Sequence, residues 1–235
     1  MLIATLNIRH GGGKRVAGLV AFVNGLKIDC LLLTEFRSNC SGLELSLKLR
    51  DLGYAHQSEI SFDPRINQLR WFSKQSFSLV PLPTGWESEG RPQQRIAAIQ
   101  LDGITLIGVY FPQGKLKVAV FDYLKSAFPT TALGKAMLIG DFNTGKHFED
   151  EASRTFICTE KFVEMLQAGW VDVWRARNPK GREFSWFSSK GNGFRIDHAL
   201  CTYALDQAVE NVRYLQESIE RGLTDHACLS IDLGA

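Results

Sequence analysis

The chain has 235 residues, 45% of them hydrophobic and 22% charged, with a formal net charge of +2. That balance suits one ordinary globular domain over 1–235 and excludes a disordered or collagen-like chain. It is too weakly basic to diagnose a nucleic-acid partner by charge alone, and no apolar run approaches the ~18 residues of a membrane span.

In chain order, β-rich apolar runs are predicted at Leu2–Ile8, Ile28–Thr34, Leu69–Ser73, Arg95–Leu101 and Ile104–Tyr110. Further runs follow at Ala136–Ile139, Phe194–Cys201 and Ala227–Leu233. Helical spacing links Val16, Leu19, Val20, Val23 and Leu26, then Leu116, Val120, Leu124 and Phe128, and more briefly Phe162, Met165 and Leu166. The tight Asp102-Gly103 turn between two strands implies antiparallel pairing inside an α/β layered protein. The first residues, Met1 to Leu6, carry no basic leader and read as a first strand rather than a signal peptide. The five cysteines, Cys30, Cys40, Cys158, Cys201 and Cys228, are odd in number and lack a C-x-x-C pair. They fit core thiols in a reducing cytoplasm, not a disulfide framework or a zinc cluster.

Polar residues recur where the strands end: Asn7, Glu35, Tyr110, Asp141, Asp197 and the Asp225-His226 pair. Strand ends can converge on one rim, so six distant positions can form one site. Gly140-Asp141-Phe142-Asn143 places a carboxylate and a carboxamide two residues apart, able to hold a water and a phosphate oxygen, although such a turn can equally bond its own backbone. Glu35 offers the hard oxygen that Mg²⁺ prefers. His226 can accept a proton if a carboxylate such as Asp197 fixes its tautomer. His198 is expected on the opposite face of its strand from Asp197, because side chains alternate. Between Asp172 and Asp197, Arg175, Arg177, Lys180, Arg182, Lys190 and Arg195 outnumber the acids, as a phosphate-holding or simply a solvated surface would.

Six segments, in this order, resemble the endonuclease/exonuclease/phosphatase superfamily, especially its exonuclease III and apurinic/apyrimidinic endonuclease branch. They are Thr5-Leu6-Asn7-Ile8, Leu32-Leu33-Thr34-Glu35 and Tyr110-Phe111-Pro112-Gln113-Gly114, then Gly140-Asp141-Phe142-Asn143, Phe184-Ser185-Trp186-Phe187 leading to Arg195-Ile196-Asp197, and Thr224-Asp225-His226. The resemblance implies a four-layer α/β/β/α sandwich of two mixed sheets, and phosphodiester hydrolysis by an activated water with Mg²⁺ or Mn²⁺. It implies that Glu35, with Asn7 beside it and Asp225 close by, holds the metal. Asp141 would position or deprotonate the water, Asn143 would orient the phosphate, and His226, held by Asp197, would contact it. Either Asp141 or His226 can be the base. Tyr110 joins this catalytic set, matching the exonuclease III branch.

Departures from the branch lie in the Arg9-His10-Gly11-Gly12-Gly13 loop, in Phe36-Arg37 after Glu35, and in a short Ser188–Gly193 loop. They weaken any expectation of abasic-site specificity. The substrate expected is DNA, including single strands, with no membrane partner and a monomeric enzyme. Trp186, Trp71 and Phe111 are candidate stacking residues. Arg37, Lys115, Lys146 and Arg195 are the expected phosphate contacts, and Lys14, Arg15 and Lys117 lie in segments flanking the rim. An abasic-site endonuclease, a lipid or small-molecule phosphatase, and a catalytically silent binding module are the alternative readings.

Overall fold

The computed structural model describes residues 1–83 and 95–234. Its first half runs β1 (Leu2–Asn7), α1 (Val16–Leu26), β2 (Cys30–Phe36), α2 (Cys40–Asp51), β3 (His56–Gln57), β4 (Gln68–Ser73) and β5 (Ser78–Val80). After these come β6 (Ile96–Leu101), β7 (Ile104–Tyr110), α3 (Lys117–Ala127), β8 (Ala136–Asp141), α4 (Thr159–Gln167), β9 (Val171–Asp172) and α5 (Val173–Arg177). The remainder is β10 (Trp186–Phe187), β11 (Gly193–Phe194), β12 (Asp197–Cys201), α6 (Tyr203–Asp206), β13 (Val209–Leu215), α7 (Glu217–Glu220) and β14 (Cys228–Leu233).

Two six-stranded mixed sheets result, ordered β13-β14-β1-β2-β4-β3 and β5-β6-β7-β8-β12-β9. Alternation sorts the side chains of each strand between two cores. Inward residues, among them Leu32, Trp71, Leu106, Ile139 and Ile231, fill the space between the sheets. Outward residues of the first sheet, including Leu6, Leu31 and Leu33, pack under α1 and α2 with Leu19, Val23, Leu45 and Leu49. Those of the second, including Ile107, Val109 and Leu138, pack under α3 and α4 with Val120, Leu124, Phe162 and Met165. This is the four-layer α/β/β/α sandwich. The Asp102-Gly103 hairpin joins β6 to β7 with both φ angles positive (48° and 75°), as a type I′ turn requires.

Several sequence expectations change here. The run Phe194–Cys201 is broken at Arg195-Ile196, because Arg195 N bonds to Asp150 O and Ile196 N bonds to the Ser185 hydroxyl instead of a neighbouring strand. Leu116, expected on the core stripe of α3, is exposed in the 3-10 turn before that helix. Trp71 and Phe111 are completely buried and cannot stack on a base. Trp71 donates its Nε1 to Ala97 O within the inter-sheet core, and Phe111 packs against Phe121 and Phe142.

Arg195 is not a substrate contact either. It is fully buried, with Nε 2.7 Å from Asp150 Oδ1 and its two terminal nitrogens 3.0 and 2.6 Å from the Asp172 oxygens. The basic stretch around it is likewise partly internal. Arg175 also pairs with Asp150, and Arg177 with Asp206. Burial alone would raise the Asp172 carboxyl, but the Arg195 guanidinium outweighs it and holds Asp172 at about 2. Removing one partner of such a buried pair strands a charge.

Two predictions follow from this packing. Asp172→Asn should lower unfolding free energy by about 3 kcal/mol at neutral pH, measured by urea denaturation. A depressed carboxyl contributes stability above its ordinary 3.8 and loses it as pH falls towards about 2. Wild type should therefore lose stability in that acid window while the variant's curve is flatter, and parallel curves would refute the assignment. Gly140, at φ 140°, has no room for a side chain, since a Cβ there would lie 2.0 Å from Val109 O. Gly140→Ala should cost at least about 2 kcal/mol, and an unchanged denaturation midpoint would contradict this.

Candidate active site

Strand direction gathers the polar strand ends. β1 and β2 are parallel, as are β7 and β8, and the second pair aligns Tyr110 with Asp141. β12 runs antiparallel to β8 and begins where β8 ends, placing Asp197 opposite Asp141. β14 enters the first sheet antiparallel to β1, so Asp225 and His226, just before it, reach the same rim.

Two hydrogen bonds span the sheets there. Asn7 Nδ2 donates to Glu35 Oε1 and, across the sandwich, to Asp141 Oδ2, both at 3.1 Å. His226 Nδ1 lies 2.8 Å from Asp197 Oδ2. Asp197 is itself placed by its backbone N–H, which donates to Ser185 Oγ at 3.0 Å. Glu35 adopts a left-handed φ of 53°, and its Oε2 accepts from His10 N at 3.0 Å. Tyr110 OH stands 3.5 Å from Glu35 Oε1. Asn143, also left-handed, donates its backbone N–H to Asp141 Oδ1 and its Nδ2 to Phe111 O, and its Oδ1 accepts from Gln113. Asp225 is partly exposed, with Trp186 Nε1 3.4 Å away and Arg9 Nε at 4.0 Å.

These groups surround a pocket of about 310 Å³, at the small end of the range for ligand sites. Glu35, Asp141, Asn143, Trp186, Asp225 and His226 all line it. Burial, and then the neighbouring Asp197 charge, raise the Asp141 carboxyl above its usual range. Burial opposes a charged His226, but Asp197, aided by Asp141 and Asp225, overcomes it and pushes the imidazole up to about 9. Burial next to Glu35 lifts Tyr110 to about 12, so it stays a neutral hydroxyl.

Donor chemistry at this pocket suits a hard divalent cation. Glu35, Asp141, Asp197 and Asp225 converge with His226 the basic group in closest contact, an excess of carboxylate oxygen that a divalent cation would balance. Ligating atoms of Asp141, Asp197 and His226 lie within 4.8 Å of one another. This tightest set among the described residues differs from the trio Glu35, Asn7 and Asp225. Asn7 is buried, and its Oδ1 already accepts from Arg9 N at 2.9 Å.

Other candidates sit farther out. Arg37 turns to Asn67 and His10 beside Glu35. Lys115 is exposed next to pocket-lining Gly114, and Lys146 is paired with Glu149. Arg15 is taken up by the carbonyls of Ile8, Arg9 and Leu223. His198 faces away from Asp197, as alternation requires, with Nε2 on Thr144 O. The residues that sequence reading passed over are Thr155, Phe156 and Ile157, which wall the pocket from a loop with no motif, and Phe194 opposite them.

No protein-family model matches the sequence. Solved structures match it over 100% of both chains. An AP endonuclease from Archaeoglobus fulgidus superposes with a TM-score of 0.84 at 20% identity. A 3′-5′ exonuclease (NExo) from Neisseria meningitidis superposes at 0.81 and 23%. NExo from Neisseria, described as a 3′ phosphatase bound to product DNA hairpin, gives the same values. By topology and by these superpositions, the chain shares the four-layer α/β/β/α fold of this AP endonuclease and of NExo.

Proposed function

We propose that this chain is a Mg²⁺- or Mn²⁺-dependent nuclease that hydrolyses DNA phosphodiesters, accepting single strands with little sequence specificity. The observation that carries this reading is the convergence of Glu35, Asp141 and His226 on one pocket, with Asp197 buried behind His226 and clustered with Asp141. The similar structures are described as an AP endonuclease, a 3′-5′ exonuclease and a 3′ phosphatase bound to product DNA hairpin, which supports DNA as the substrate.

Glu35 and Asp225, with Asn7 behind them, would hold the metal, which when bound supplies Lewis acidity towards the phosphate and a more acidic water. Asp141 is the group suited to hold and deprotonate the attacking water, since its raised carboxyl is a stronger base than an ordinary one. His226, pushed up to about 9 by Asp197 against burial, favours its protonated form and is less suited than Asp141 to take the proton. It is suited instead to donate a hydrogen bond to a phosphoryl oxygen as negative charge builds there. Asn143 orients the phosphate, and Trp186, half-buried beside Asp225, offers an edge to a sugar or base. Arg37 and Lys115 extend the cationic rim to neighbouring phosphates. Four of the five free cysteines are buried, in keeping with the proposed cytoplasmic location, and the enzyme is proposed to act as a monomer.

A second reading within the same site is a phosphatase or endonuclease acting at a strand end or abasic lesion, favoured by the small pocket and by the neighbours' descriptions.

Labelled single-stranded, duplex, nicked, 3′-phosphate and abasic-site DNA should be cut in Mg²⁺ or Mn²⁺. Asp141→Ala and His226→Ala should each reduce the rate by about 10²- to 10⁴-fold. Undiminished cleavage by either variant, or by wild type in excess EDTA, would refute this mechanism.

A further inference from the structure

Lys117, the first residue of α3, is only 2% exposed and lies on the wall of the catalytic pocket between Gln113 and Asn143. Its Nζ donates to the backbone carbonyl of Asn143 at 2.6 Å. An ammonium has three N–H donors, and among the described residues this one makes no other hydrogen bond or ion pair.

The balance here is against a cation. Burial disfavours the charged form, and Cys158 and then the Asp141 carboxylate offset this only in part, with no ion pair between them and Lys117. The start of a helix is the positive end of its dipole, where a cation is unwelcome. A buried charge with unspent donors is costly unless an anion meets it. Neighbouring polar groups cannot take that role. The Asn143 carboxamide is already engaged by Phe111 O and Gln113. The pocket's far wall, with Trp186 and Phe194, brings no carboxylate to the ammonium.

We propose that the Lys117 ammonium is a phosphoryl-oxygen contact inside the catalytic pocket, and that it favours a phosphate bearing two negative charges over an internal diester. Coulomb attraction scales with ligand charge. A terminal monoester is a dianion above its second ionisation near pH 6, whereas a diester carries one charge. Lys117 would thus bias the pocket towards phosphate-terminated strand ends. The proposal rests on the reading of this pocket as a phosphate site. The rival is a purely structural lysine that pins the left-handed Asn143 carbonyl.

Inorganic phosphate is the probe, titrated calorimetrically into Mg²⁺-containing wild type, Lys117→Met and Lys117→Arg at about pH 8, where phosphate is dianionic. Lys117→Met should weaken phosphate binding by about tenfold or more, the loss of one charge-assisted hydrogen bond, while Lys117→Arg stays within about threefold of wild type. Lys117→Met should also lose more kcat/KM on a 3′-phosphate-ended oligonucleotide than on an internal diester. In wild type, the ¹⁵N resonance of the Lys117 ammonium should shift as phosphate saturates, which decides the matter even if a variant fails to fold. Wild-type phosphate affinity in Lys117→Met, no phosphate binding by wild type, or an unmoved Lys117 resonance would each overturn the proposal. Phosphate binding needs no turnover. A chain that binds phosphate through Lys117 yet cuts no DNA would sink the nuclease reading and leave this one standing.

Discussion

Two hydrogen bonds that cross from one sheet to the other, Asn7 to Asp141 and His226 to Asp197, are the constraint on which the site depends. Neither pair shares a sheet, so the separation of the sheets sets how Asn7 and His226 meet Asp141 and Asp197. That separation is fixed by the core between them, where Leu32 and Trp71 of the first sheet press on Gly108 of the second. A Cβ at Gly108 would lie 2.9 Å from Leu32 and 3.1 Å from Trp71, so an added methyl would force the facing side chains to give way. Dense interiors leave little room for that. The geometry of the site in this sense depends on the apolar core.

Two buried charge clusters lie close together and are built on opposite principles. Around Arg195, two guanidiniums, Arg195 and Arg175, meet Asp150 and Asp172, so each charge has its counter-charge and the cluster is a structural tie. Around Asp141 the account does not balance. Asp197 and Asp141 share the vicinity of one imidazole, and the Asp141 carboxyl is raised as a result. Unbalanced buried charge is tolerated where a ligand completes it, and perturbed groups in a cleft mark a functional site. The matched cluster holds β12 and β9 in place. The unmatched one sits where β12 begins and β8 ends, beside the pocket.

How much of this was legible in the sequence depended on whether the signal was local. The polar residues that line the pocket were legible because each interrupts an apolar run, and because strand direction, not side-chain detail, brings strand ends together. The Asp102-Gly103 hairpin declared itself through the only residues that suit its angles. α2 escaped because Leu43, Leu45, Leu47 and Leu49 recur every second residue, as in a strand. In the structure Leu45 and Leu49 are buried at helical spacing while Leu43 and Leu47 face solvent. Trp71 and Trp186 were indistinguishable as sequence, since only the facing sheet decides which one is buried. Arg195 was misread for the same reason. Its partners, Asp150 and Asp172, lie 45 and 23 residues away, and nothing local announces a buried guanidinium. Lys117 was visible as a cation but not as a buried one.

Backbone strain completes the picture. Arg9, His10, Glu35 and Asn143 all carry left-handed φ angles between 52° and 57°, and all sit on the rim of one pocket or touch a residue that does. Such conformations are unfavourable for residues with a Cβ and persist only when surrounding contacts over-determine them. Those contacts are present. Arg9 N bonds to Asn7 Oδ1, His10 N to Glu35 Oε2, and Gly11 N to Glu35 O. Asn143 N bonds to Asp141 Oδ1, and its carbonyl takes the Lys117 ammonium. The same carboxylates that would handle metal and water therefore also hold the strained backbone. A carboxylate tied to backbone in this way has little freedom to reorient as charge arrives. The rigid sandwich beneath converts local strain into fixed donor positions, which is the preorganisation that hydrolysis of an anionic ester requires.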